Sequence, residues 1–350
     1  MRPLLLIAFG ALLLIVAWHL FSNYYSQEEK AFRSQLRETV KEEFPDRSAA
    51  FLKTFGLYSF KNNQTISQNT ISSDAGIVLI HGLDDPGKVW RNLAPELLKQ
   101  GHEVWLMVYP NDQPVAESAD LFFEELKKIR SFGVTRISIV AHSMGGLISR
   151  EMLTRPSLNY HFFMQGGQVP RVDMLIMVGT PNHGSQLARF RVIGEVRDHF
   201  ARLTKGEADW LGMILDGAGE AKIDLLPGSR FLTELNARPH PQGVQQSIIA
   251  GIISPWKESD IRRWREAVEK KLPDYRYAQI DTLSQHMIAM THGLGDGLVT
   301  LESTRLDGVP HRTVAGTHLT MIRNLTADSQ RVPPAVPIIV DKLFRTKKEG

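Results

Sequence analysis

Short, unbroken apolar runs alternate along this chain with stretches whose apolar residues recur every three or four positions. The runs IVLI (Ile77 to Ile80), EVWLMVY (Glu103 to Tyr109), RISIV (Arg136 to Val140), VDMLIMV (Val172 to Val178), SIIAGII (Ser247 to Ile253) and RTVAG (Arg312 to Gly316) each suit a strand buried on both faces. Between the first four lie three stretches that read as helices: Val89 to Lys99, Val115 to Arg130 and Met144 to Thr154. This alternation predicts an α/β fold, a mostly parallel sheet of about six strands with helices on both faces. Ligands on such sheets bind at the carboxyl ends of the strands.

The flanks read differently. Phe32, Leu36, Val40 and Phe44 recur every four residues among charges, the pattern of a helix with one apolar face, and Pro45 stops it. Lys61 to Asp74 is polar and reads as a linker. Residues 26–75 are therefore expected to form a helical stalk and linker, and residues 76–345 the main domain. Inside that domain Ser185 to Gly243 is a long excursion carrying WLGMIL (Trp210 to Leu215) and DLLPGSRFLTELN (Asp224 to Asn236). Excursions of this length serve as lids or decorations. Ser259 to Leu272 reads as a basic helix with Ile261, Trp264 and Val268 on one side.

At the N-terminus, Leu4 to Phe21 is an 18-residue apolar run interrupted only by Gly10 and His19. As a helix it would span about 27 Å, close to the roughly 30 Å of a bilayer's hydrocarbon core. Trp18, Tyr24 and Tyr25 stand where an interfacial aromatic belt would lie. A cleavable signal peptide has a shorter apolar core and a small-residue cleavage site, whereas this run ends WHLFSNYY. Residues 1–25 are thus expected to be a signal-anchor. Arg2 on its N-terminal side keeps that end cytoplasmic and exports the rest.

Composition narrows the chemistry. With 350 residues and 43% apolar content the chain can bury a large core, and Lys plus Arg exceeds Asp plus Glu by only 41 to 38. So small an excess gives no concentrated cationic surface, and nucleic acid is not an expected partner. The absence of cysteine removes disulfides, thiolate metal sites and cysteine nucleophiles. No glycine-rich phosphate loop follows any strand, and the twelve histidines show no metal-ligand spacing, so neither cofactor nor metal is expected.

VAHSMGGLIS, Val140 to Ser149, sits where a buried strand gives way to a helix. Ala141-x-Ser143-x-Gly145 fits a nucleophile elbow in which alanine replaces the usual first glycine. Small residues suit it because the turn is too tight for bulky neighbours. Ser143 would stand up from the sheet, with the Met144 N–H facing any oxyanion that forms. The motif alone equally fits a capping serine beside glycines that permit close helix packing. A serine hydroxyl also needs a base, and the base an orienting acid, in the chain order serine, acid, histidine. HGLGDGLVTLES (His292 to Ser303) supplies Asp296, and VAGTHLTMI (Val314 to Ile322) supplies His318 just past the last strand. Asp296 between glycines also fits a turn residue, with Asp281 and Asp307 as reserve acids, and His318 a capping or interior histidine. IVLIHGLDD (Ile77 to Asp85) offers a second oxyanion donor in the Leu83 N–H, with His81 shaping the loop.

These residues resemble the α/β-hydrolase superfamily, in particular serine lipases and esterases of the bacterial triacylglycerol-lipase-like and GPI-inositol-deacylase-like branch. The resemblance is carried by IVLIHGL, VAHSMGGLISR, MVGTPNHGS (Met177 to Ser185), DLLPGSRFLTELN, GDGLVTLES and AGTH, and covers roughly Gly76 to Leu325. It implies Ser143 as nucleophile, Asp296 as acid, His318 as base, and Leu83 and Met144 as oxyanion donors. It also implies a cover over the site after TPNHGS. The expected activity is hydrolysis of hydrophobic acyl or lipid esters through an acyl-enzyme. An acyltransferase with the same triad, and a non-catalytic membrane-anchored interaction protein on this scaffold, are the alternatives.

Overall fold

The computed structural model describes residues 26–68, 71–83, 85, 87–185, 216, 219–253, 258–270, 280–281, 284–285, 287–288 and 293–349. In chain order the elements are α1 (Ser26–Glu43), α2 (Pro45–Leu52), β1 (Gly56–Ser59), β2 (Gln64–Thr65), β3 (Ala75–Ile80), α3 (Leu93–Lys99), β4 (Val104–Val108), α4 (Val115–Ser131), β5 (Arg136–His142), α5 (Met144–Thr154), α6 (Tyr160–Gln165) and β6 (Arg171–Val178). They continue with α7 (Glu220–Asp224), α8 (Arg230–Asn236), β7 (Gln245–Ile252), α9 (Glu258–Glu269), α10 (Leu301–Thr304), β8 (His311–Ala315) and α11 (Ala335–Glu349). The expected span Leu4 to Phe21 and the apolar cluster Trp210 to Leu215 lie outside the described residues. Among the described residues no helix is long and apolar enough to cross a membrane.

One sheet runs β2-β1-β4-β3-β5-β6-β7-β8. From β4 to β8 every neighbouring pair is parallel. The first five apolar runs form its interior because strands covered on both faces must be apolar on both: Val78, Leu79, Ile80, Ile139, Val140, Leu175, Ile176, Ile248 and Ile249 are all buried. The sixth, RTVAG, falls in β8, which is the edge strand and has no fully buried residue, so it is not covered on both faces as expected. One face packs against Phe122 and Leu126 of α4, Leu147 and Met152 of α5, and Leu235 of α8. The other packs against Trp90, Leu93 and Leu97, and Ile339 and Leu343 of α11. The expected helix Val89 to Lys99 is divided, with a separate 3₁₀ turn at Lys88–Trp90 whose Val89 N–H is held by Asp85 Oδ1 at 2.9 Å.

The sheet has eight strands where about six were expected. The two extra ones, β1 and β2, fall in the stretch expected to be stalk and linker. β1 pairs antiparallel with β4 and turns back into β2. Edge strands this short are held by main-chain pairing, so β2, with both residues exposed, carries no apolar alternation in its sequence.

α1 also differs from its apolar pattern. Val40 faces inward, but Phe32 is 67% exposed, while Arg37 is only 1% exposed. Its charged row is what docks: Arg37 contacts Glu117 of α4 and lies 3.5 Å from Glu220 of α7, and Lys30 contacts Asp224. The second Asp224 oxygen accepts the Val115 N–H that opens α4, at 3.0 Å. An N-terminal helix thus holds the return of the 185–243 excursion against the main domain through buried charges.

Burial, opposed by Arg37 and Lys30 but reinforced by Glu117 and Asp224, pushes the Glu220 carboxyl up from 4.5 to about 7. An acid whose pKa is raised on folding binds more protons in the folded state, so its contribution to stability falls as pH rises from about 4.5 to about 7 and is flat above. Glu220→Gln is expected to raise the melting temperature at pH 8 by roughly 2–4 °C and to change it little at pH 5, checked by thermal melts at both pH values.

Candidate active site

A single residue, Ser143, links β5 to α5. The Ser143 N–H still donates to the Val178 carbonyl across the sheet at 2.9 Å, and the Ser143 carbonyl already accepts from the Gly146 N–H at 3.1 Å. Meeting both demands forces Ser143 to φ 54° and ψ −126°. Such a conformation costs of order 1–3 kcal/mol and persists only where the surroundings impose it. Ala141, His142 and Met144 around it are buried, while Ser143 itself is partly exposed. Met144 begins α5, so its N–H lacks an intrahelical acceptor and lies at the positive end of the helix.

The β3 loop closes on this turn. β3 and β5 are paired up to Ile80 and Ala141, so the residues after each emerge side by side, at the point where the chain order of the strands reverses. A methyl at position 82 would fall 2.6 Å from Ser143 Cβ and 3.2 Å from its Oγ. Leu83 follows directly and is buried. His81 shapes the loop: its ring stacks on Tyr109 with centroids 4.4 Å apart, its Nδ1 lies 2.8 Å from the Gly82 carbonyl, and its own carbonyl accepts from the Tyr109 hydroxyl at 2.6 Å. Burial lowers its pKa and keeps the ring neutral.

Asp296 and His318 come together beyond β7 and β8. His318 Nδ1 lies 2.7 Å from Asp296 Oδ2, with both side chains buried. The other oxygen, Oδ1, accepts the N–H groups of Leu298 and Val299 at 2.9 and 2.8 Å. Asp296 is therefore a turn residue and the partner of His318 at once, one oxygen for each task. The reserve acids lie elsewhere: Asp281 pairs with Arg265 at 2.8 Å, and Asp307 is exposed. Among the described residues no group of three or more His, Asp or Glu could hold a metal ion.

Residues 77–268, more than half of the chain, match the model of the alpha/beta hydrolase family. The chain belongs to that family. No curated protein matches it in sequence. Among solved structures, the Staphylococcus hyicus lipase is 15% identical with a TM-score of 0.53, covering 79% of this chain and 97% of that one. The mature Bacillus licheniformis lipase BlEst2 is 20% identical, with a TM-score of 0.45 and coverage of 71% and 86%. The phospholipase PlaB from Legionella pneumophila is 17% identical, with a TM-score of 0.49 and coverage of 77% and 59%. At these identities the likeness is one of fold.

Three features of this alpha/beta hydrolase escape a residue-by-residue reading of its sequence. Gly179, at φ 60°, leaves room for Asp296 and His318, since a methyl there would lie 3.2 Å from both Asp296 Oδ2 and His318 Cε1. Arg150 on α5 donates to Asn182 Oδ1 and Asn236 Oδ1, each at 2.9 Å, and so ties both stems of the 185–243 excursion to that helix. His142 donates from Nε2 to the His318 carbonyl at 2.9 Å. Gly179 and Asn182 are signalled only by VGTPN after a strand, and His142 only by its place before the serine.

At Gly145 the family pattern has a direct steric cause: a methyl there would fall 2.4 Å from the Ile80 carbonyl oxygen and 2.6 Å from that of His81. Main-chain atoms cannot swing aside, so α5 and β3 would have to part. Gly145→Ala is expected to lose at least about 1–3 kcal/mol in urea unfolding, the usual cost of overpacking.

Proposed function

We propose that this chain is a serine carboxylic-ester hydrolase acting on hydrophobic acyl esters through an acyl-enzyme on Ser143. The observation that carries the reading is the buried Asp296–His318 bond of 2.7 Å, whose histidine ring lies against that of His142, the residue before the strained Ser143. With Asp296 accepting from Nδ1, the His318 tautomer is fixed and Nε2 is left to take the serine proton. Ser143 Oγ then attacks the acyl carbon. The oxygen that gains charge is met by the N–H groups of Met144 and Leu83. Collapse breaks the ester C–O bond, and the proton on His318 passes to the departing alcohol. Water repeats the sequence on the acyl-enzyme and releases the acid.

Membership of the alpha/beta hydrolase family supports the reaction class, and the fold likeness to the Staphylococcus hyicus lipase supports a lipase or esterase. The apolar run Leu4 to Phe21 supports attachment to a membrane, with the catalytic domain on the exported side. A hydrophobic ester delivered from that membrane is the substrate class consistent with both.

A fluorophosphonate probe is expected to label the protein at Ser143, and Ser143→Ala to abolish the labelling. Folded wild-type protein that takes no label overturns the reading. Asp296→Asn is expected to leave the melting temperature nearly unchanged and to lower kcat on p-nitrophenyl esters by about 10⁴, because the His318 tautomer is no longer fixed. Transfer of the acyl group to an added alcohol in preference to water, read by product analysis, would make the chain an acyltransferase instead.

A further inference from the structure

The residue before Ser143 is a histidine, and it is only 2% exposed. Its ring lies against that of His318, with centroids 4.6 Å apart and planes at 50°. Nε2 is 2.9 Å from the His318 carbonyl oxygen. Because that acceptor is a carbonyl, the Nε2 nitrogen carries the proton. The other nitrogen, Nδ1, is buried without a hydrogen-bond partner among the described residues. Burial and the neighbouring His318 hold the pKa of His142 well below the ordinary histidine value, so the ring is neutral. An imidazole here costs stability through its orphaned nitrogen, and the bond to His318 is what it gives in return.

That bond differs in kind from the other holds on His318. The His318 N–H donates to the Asp296 carbonyl at 2.9 Å, and Nδ1 meets the Asp296 carboxylate. Both run to one residue, and both fix the base relative to the acid. Neither fixes it relative to the nucleophile. His142 belongs to β5, is paired with Val178 in the sheet, and is bonded covalently to Ser143.

We propose that His142 is a positioning residue for the reaction at Ser143, its Nε2–H holding the His318 main chain in register with the nucleophile. This rests on the Ser143–His318–Asp296 reading above, and the test separates the two. His142→Met keeps the volume and removes the donor, whereas His142→Gln keeps an N–H donor near the place of Nε2. Misplacement of a reacting group by about 1 Å costs on the order of 10²-fold in rate. His142→Met is accordingly expected to lower both kcat on a p-nitrophenyl ester and the rate of fluorophosphonate labelling by about 10²-fold, with KM within about twofold of wild type. His142→Gln is expected to restore most of the loss. A folded His142→Met protein with wild-type kcat overturns the proposal, and so does an equal loss in both variants, which would mark a packing role. Histidine ¹⁵N NMR of the unsubstituted protein gives a second measurement that needs no variant to fold. A neutral Nε2–H tautomer for His142 across pH 5 to 9 is expected, and an Nδ1–H tautomer, or titration near pH 6.5, overturns the proposal. Failure of wild-type labelling falls on the triad reading instead.

Discussion

Parallel hydrogen bonding of β5 between β3 and β6 brings every part of the candidate site to one level. Its register with β3 sets the His81–Leu83 loop beside the serine, and its register with β6 runs to His142 and Val178 and extends through the Ser143 N–H. A main chain still paired as strand at Ser143 N–H and already helical at its carbonyl has one unusual conformation open to it. The strain is thus imposed by sheet and helix together, and the serine's aim follows from the scaffold. Asp296 and His318 reach the same rim from β7 and β8 because those strands are parallel to β5 and end on the same side.

Much of this was legible in the sequence because central parallel strands and a tight strand-to-helix turn have strong local causes. Ile77 to Ile80, Ile139 to Ala141 and Met174 to Val178 are apolar throughout because both of their faces are covered. The serine, acid and histidine could be ordered because each follows a strand. β1 and β2 were not legible, since GLYS and QT are too short to show an apolar alternation and β1 is held by β4, about 50 residues further along the chain. The docking of α1 was not legible either. Its apolar row buries Val40 but leaves Phe32 exposed, while Arg37 is buried against Glu117 and Glu220, residues far along the chain. Ionic partners of that kind have no local signature.

Buried charges in that seam are poor evidence for stability in themselves. Removing Arg37 and Glu220 from water carries a desolvation penalty that their attraction only partly offsets, which is the reason the Glu220 pKa is raised. Their geometric effect is clearer. A buried guanidinium accepts few arrangements of carboxylates, so α1, α4 and α7 are held in one relative placement.

The guanidinium of Arg150, shared between Asn182 and Asn236, has a further consequence. It makes the two ends of the excursion a fixed frame built on α5, and loop-closure entropy grows only logarithmically with the chain enclosed. Segments of different length and polarity can therefore be exchanged inside this frame at small thermodynamic expense. Substrate preference in such a scaffold is free to diverge while its reaction centre stays as it is.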